Sequence, residues 1–177
     1  MNLVLAFPLE EKVVRFYKIA LAQNRVMVGS GLLSDGELSI FERTHGLIMT
    51  IPPSNPKMVD ERREIHELNF ADYSIQAFLI RACKDPLGKH LHREKAEIFI
   101  ILNGMIGHLI TAKGEKVFER REWHDIPRNT VIVIPPGFAH TFYAKTGEPE
   151  STMICFSDRP YNETAPDFVP VPLVLSS

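Results

Sequence analysis

From residue 65 to residue 157 the chain is a succession of short apolar runs separated by turn residues, and that rhythm restricts its fold more than anything else. The runs at 65–70, 74–83, 96–102, 105–112, 115–120, 130–134, 141–145 and 152–157 have strand length and β-branched or aromatic content. Asn103-Gly104, between 98–102 and 105–110, is the sequence signal of a two-residue hairpin, because both positions accept positive φ. Strands this short with turns this regular predict an antiparallel sheet that is closed or stacked on a second one.

The first sixty residues read differently. Residues 8–24 predict a helix: Pro8 suits a first turn, Glu10 and Glu11 complement the helix dipole, and Leu9, Val13, Phe16, Tyr17, Ala20 and Leu21 form one apolar stripe. That stripe predicts packing against the sheet, with a dimer contact as the alternative. Gly29, Gly31 and Gly36 mark loops, with 37–41 and 46–51 as possible strands. Pro52-Pro53-Ser54-Asn55-Pro56 is the sharpest break. At the other end, Pro160, Pro166, Pro170 and Pro172 predict an extended tail over the surface. The division is therefore 1–60 as an N-terminal extension, 61–160 as the core and 161–177 as the tail.

Two stretches inside the core carry chemistry. His90-Leu91-His92 places two imidazoles on one face of an extended strand, and Glu97 opens the next apolar run. His140 follows a forced turn at Pro135-Pro136-Gly137. Three imidazoles and a carboxylate suit a divalent first-row metal, and ligand softness admits Fe, Mn, Ni, Co or Zn. If Glu97 faces inward, strand alternation sends Phe99 and Ile101 inward with it, and Phe142 shares the face of His140. The same alternation turns Tyr143 outward. Arg93 and Glu94, in the turn between ligands, read as solvated.

These residues resemble the two motifs of the cupin superfamily. In the first motif a His-x-His pair precedes a Glu, with a Gly seven positions after it; His90, His92, Glu97 and Gly104 have that spacing. The motif's leading Gly falls on Lys84, with Gly88 nearer to the histidines. In the second, Pro135, Gly137 and His140 match, while Asn129 stands where a Gly is usual and Ala144 where an Asn is usual. The resemblance covers about residues 61–160. It implies an all-β cupin (jelly-roll) β-barrel carrying an N-terminal helical extension, with His90, His92, Glu97 and His140 as metal ligands. The segment 153–162 running to Asp167-Phe168 is similar to the tail of small cupins of surface-polysaccharide biosynthesis. That likeness implies isomerisation or epimerisation of a carbohydrate or sugar nucleotide, with His90, His92 and His140 available for acid/base work, and a homodimer. A Fe(II)-dependent dioxygenase and a non-enzymatic metal or small-molecule binder are the alternatives.

Composition narrows the partners. Twenty Lys and Arg against 22 Asp and Glu argue against a nucleic-acid binder; a small-molecule substrate is what the resemblance implies. Cys83 and Cys155 are too far apart to suggest a disulfide framework and read as buried thiols. No basic segment followed by a sustained apolar stretch opens the chain, so the reading is cytoplasmic with no membrane partner.

Overall fold

The computed structural model describes residues 11–50, 58–69, 72–81, 85–147, 150–160, 162 and 164–175. Its elements are α1 (Glu11–Ala22), β1 (Met27–Ser30), α2 (Asp35–Thr50), β2 (Met58–Val59), β3 (Arg63–Asn69), β4 (Ser74–Arg81), β5 (Leu87–Leu91), β6 (Glu97–Asn103), β7 (Met105–Lys113), β8 (Phe118–Pro127), β9 (Thr130–Ile134), β10 (Phe138–Ala144), β11 (Glu150–Ser157) and β12 (Val169–Pro170). The strands form two sheets, ordered β1-β9-β6-β11-β4-β3-β2 and β12-β5-β10-β7-β8. No strand belongs to both, and each sheet has two different edge strands. The all-β closed barrel implied by the sequence is therefore corrected: the architecture is a mixed α and β arrangement of two open sheets and two helices.

Asn103-Gly104 shows how this comes about. The hairpin expected there does not form, because β6 pairs with β9 and β11, whereas β7 pairs with β10 and β8. Gly104 does adopt positive φ, and a Cβ on it would lie 2.6 Å from Ser151 Oγ. The dipeptide is a corner at which the chain leaves one sheet for the other. Its backbone freedom was read correctly, but burial of both strands dictated different partners.

Three apolar layers stack across the molecule. Helices α1 and α2 cover one face of the seven-stranded sheet through Val13, Tyr17, Ala20, Leu38, Phe41 and Ile48, against Ile98, Ile100, Val131 and Phe156. The α1 stripe thus packs on the sheet, although Pro8 and Leu9 lie outside the described residues. Between the sheets lie Phe78, Phe99, Ile101 and Ile132 from one, and Leu87, Leu109 and Phe142 from the other. On the far face of the five-stranded sheet, Leu91, Ile110 and Ala139 are covered by Val171 and Leu173 of the tail, beside Tyr143.

Helix α2 replaces the two strands expected at 37–41 and 46–51; residue 51 is outside the described residues. The physical reason is a capping box: Glu37 N donates to Ser34 Oγ at 3.4 Å, and the Glu37 carboxylate accepts from Ser34 N. Leu38, Phe41 and Ile48 then share the buried side. Strand β1, read as loop because of its glycines, pairs in register with β9 from Met27↔Val133 to Ser30↔Thr130. Cys155 is a buried free thiol; Cys83 lies outside the described residues. No helix among the described residues is long and apolar enough to cross a membrane.

Candidate metal centre

The two sequence motifs meet because β5 and β10 are hydrogen-bonded neighbours, with His140 directly opposite His90. The register shifts between His140 and Thr141, and Gly88 sits at that irregularity with φ of 92°. A Cβ on Gly88 would lie 2.5 Å from the carbonyl oxygen of His140, so only glycine lets the strands approach this closely. Asn129 solves a similar problem. It adopts φ of 59° in place of the usual motif glycine, and its amide holds the chain before α2 by donating to Leu33 O at 2.6 Å and accepting from Leu33 N at 3.3 Å. Lys84 lies outside the described residues.

The five-stranded sheet supplies His90 and His140, with His92 just beyond β5, while Glu97 comes from the first position of β6 in the other sheet. Ligand atoms of His90, His92 and Glu97 lie within 4.8 Å of one another, a buried His-His-Glu cluster able to coordinate a divalent metal ion. His140 joins its edge. Its Nε2 is 3.5 Å from Glu97 Oε2, and its ring centroid is 4.7 Å from that of His90. Glu97 Oε1 faces His92 Nε2 at 3.4 Å and Lys95 Nζ at 3.2 Å.

Protonation states suit a metal. Burial lowers His90 to about 4 and His140 to about 3, so both imidazoles are neutral near pH 7. Burial alone would raise the Glu97 carboxyl; Lys95, His92 and His140 outweigh it and hold the group well below the usual carboxylate range. Glu97 Oε2 and His140 Nδ1 are buried without a hydrogen-bond partner. Lone pairs and an ionised carboxylate left in this condition are what a bound cation satisfies.

The tail sets the orientation of His92. Its Nδ1 bonds the carbonyl oxygen of Asp167, which leaves Nε2 turned to Glu97. The Asp167 carboxylate accepts from the amides of Arg93 (2.9 Å), Glu94 (3.0 Å) and Lys95 (2.9 Å), pinning the turn between the ligands. Strand β12 pairs with β5 at Leu91 and His90. Beside it, the Phe168 ring stands 5.9 Å from that of His90.

A cavity of about 390 Å³ opens on the cluster, walled largely by Phe78, Leu87, Phe99, Phe142, Met153 and Phe168. Phe99 and Phe142 thus share the faces of Glu97 and His140, and Ile101 packs in the same layer, as alternation requires. Tyr143 points away, its hydroxyl accepting from Leu175 N at 3.3 Å. Arg93 and Glu94 are exposed and pair with Glu115 and Arg159. Lys95 was not singled out from the sequence, and Arg63, in the basic pair Arg62-Arg63, reads there as solvated surface; both line the cavity. Lys95 is only 7 % exposed and has the same strand parity as Glu97, a signal hidden by its place in a charged turn.

Comparison with known proteins agrees with this geometry. Residues 86–170 match the Cupin family model. The chain has the cupin fold. Among solved structures it is similar to the capsular polysaccharide assembling protein CapF from Staphylococcus aureus (17 % identity, 91 % of this chain and 46 % of that one, TM-score 0.57). It is also similar to vicilin from Corylus avellana (14 %, 70 % and 35 %, TM-score 0.54) and to oxalate decarboxylase from Lactobacillus farciminis (12 %, 66 % and 33 %, TM-score 0.51). At these identities the likeness is one of fold. The chain spans between a third and a half of the length of these structures. No protein of curated function matches it. Within that fold it carries a metal-capable centre.

Proposed function

We propose that this protein is a metal-dependent cupin enzyme that isomerises or epimerises a carbohydrate or sugar nucleotide. The observation that carries the reading is the His90-His92-Glu97 cluster opening on a cavity beside a buried, neutral His140. The similarity to a capsular polysaccharide assembling protein supports the substrate class. His90, His92 and Glu97 would hold a divalent metal, which would supply Lewis acidity toward a substrate oxygen. Phe99, Phe142 and Phe168 exclude water from the substrate. His140 takes a proton from the carbon next to a carbonyl and returns it to the neighbouring carbon; for epimerisation a second acid on the opposite face would have to deliver the proton. The conversion is redox-neutral and needs no co-substrate. The sequence pattern also makes His140 a fourth ligand, and one variant separates the roles: His140→Ala keeps the metal if the residue is an acid/base, and loses it if it is a ligand.

The test is elemental analysis of the purified chain beside a His90→Ala/His92→Ala variant, followed by incubation with nucleotide-linked keto-sugars. About one metal per chain, absent from the variant, with turnover of a keto-sugar, is the expected result. No metal after reconstitution, or no turnover and no binding across the panel, overturns it. A second reading, Fe(II)-dependent dioxygenation, is favoured by the two-histidine, one-carboxylate composition and the aromatic wall. Oxygen consumption on adding Fe(II) and an aromatic substrate would establish it instead. Metal binding with neither reaction would leave a non-enzymatic binder. A cytoplasmic location and a homodimer complete the proposal, the latter tested by sedimentation of the full chain.

A further inference from the structure

The charges lining the cavity do not balance. Two cations, Arg63 and Lys95, face one carboxylate, Glu97, and a divalent metal would add to the positive side. Lys95 is matched by Glu97 at 3.2 Å. Arg63, at the start of β3, is not matched in the same way. Among the described residues its carboxylate partner is Asp60, 3.6 Å from Nε. Asp60 is already engaged by Arg62, through Nη2 at 2.7 Å and Nε at 3.3 Å, and by the amides of Arg62 and Arg63 at 2.9 and 3.1 Å. One Nη of Arg63 rests on Met58 Sδ, a weak acceptor, and its Nε is buried with no hydrogen-bond partner. Burial works against the guanidinium charge here by more than Asp60 restores. A guanidinium only 17 % exposed, whose one carboxylate is shared with Arg62, is incompletely neutralised. The aromatic and aliphatic wall supplies no further carboxylate, so an anion entering the cavity would offset the excess positive charge at Arg63.

We propose that this cavity selects a small organic anion, with Arg63 reading its carboxylate or phosphate while the body of the ligand lies on the aromatic wall. The inference rests on the reading of this cavity as the substrate site, and it narrows the substrate to one carrying a negative charge. Arginine suits the task because its planar fork meets a carboxylate or phosphate through two parallel hydrogen bonds. The apolar surroundings strengthen that pairing relative to water.

The experiment is calorimetric titration of the full chain with two matched pairs: benzoate against benzyl alcohol, and glucuronate against glucose. Each acid should bind at least about tenfold more tightly than its neutral partner, the size expected of a charge-assisted pair over a neutral contact. Arg63→Gln should remove that preference without changing the metal content, and Arg63→Lys should restore part of it. Equal binding of acid and neutral partner to the wild-type chain, or no binding of either acid, overturns the proposal, and neither result depends on a variant that folds. An acid preference that survives in Arg63→Gln but vanishes with chelator overturns it too, because the metal alone would then read the charge. Acid preference retained in the metal-free chain, with no keto-sugar converted, would uphold Arg63 while sinking the metal-enzyme reading.

Discussion

Strand β6 has two buried faces that do different things. Ile98, Ile100 and Leu102 point to the helices, and Glu97, Phe99 and Ile101 point to the second sheet. All six are at most 4 % exposed, so burial does not tell the faces apart. What differs is the opposing layer. Helices α1 and α2 meet the first face with aliphatic and aromatic side chains and close it as a packed core. The five-stranded sheet meets the second with imidazoles, and a cavity remains between them. The comparison teaches that chemistry here resides in the gap between two sheets, and that the helical side serves to keep β6 rigid behind it.

The largest effect should come from breaking the helical side. Phe156, 1 % exposed and edge-on to Phe41 at 5.9 Å, belongs to that layer. Phe156→Ala should cost about 3–5 kcal/mol of unfolding free energy in urea titration, while the folded fraction keeps its metal. Next, Glu97→Gln should lower metal affinity by about a hundredfold in chelator competition and destabilise the metal-free chain, since Lys95 stays buried without its carboxylate. A variant that keeps its affinity would end the distinction between the faces.

A smaller, graded effect should appear with acid. In the folded chain His90 titrates near 4 and His140 near 3, against 6.5 for a free imidazole. Between those values the unfolded chain binds more protons, so stability is complete above about pH 6.5 and declines as pH falls toward 4. The urea midpoint of chelator-treated protein at pH 7, 5.5 and 4.5 should therefore fall stepwise. Phe156→Ala should displace that curve without altering its slope between pH 7 and 5.5. The smallest effect belongs to the capping box: Ser34→Ala should cost about 1 kcal/mol and leave metal binding unchanged.

Much of this was legible because it depends on local spacing. His90, His92 and Glu97 follow from strand parity and one turn, and Phe99 and Phe142 from alternation alone. What escaped depends on the layer opposite. The barrel failed because closure is a property of edge strands, which no run of residues encodes by itself. The hairpin at Asn103-Gly104 failed because positive φ serves a corner as well as a turn. Helix α2 was missed because Gly36 and Gly46 interrupt its pattern, although Ser34 and Glu37 announce its start. The place of Lys95 and Arg63 at a cavity was not legible because charged residues near turns are ordinarily solvated, and only the fold brings these two together.

The hold of Asp167 on the turn between ligands has a consequence for biosynthesis. Strand β5 lies between β10 and β12, and the amides of residues 93–95 are capped by the Asp167 carboxylate. On the ribosome, His90, His92 and Glu97 emerge long before that cap, and His140 arrives between them. The nascent chain therefore carries imidazoles and a carboxylate whose geometry is not yet fixed. Selective metal capture would therefore require residues 138–167, from β10 to the cap, to have left the exit tunnel and folded back.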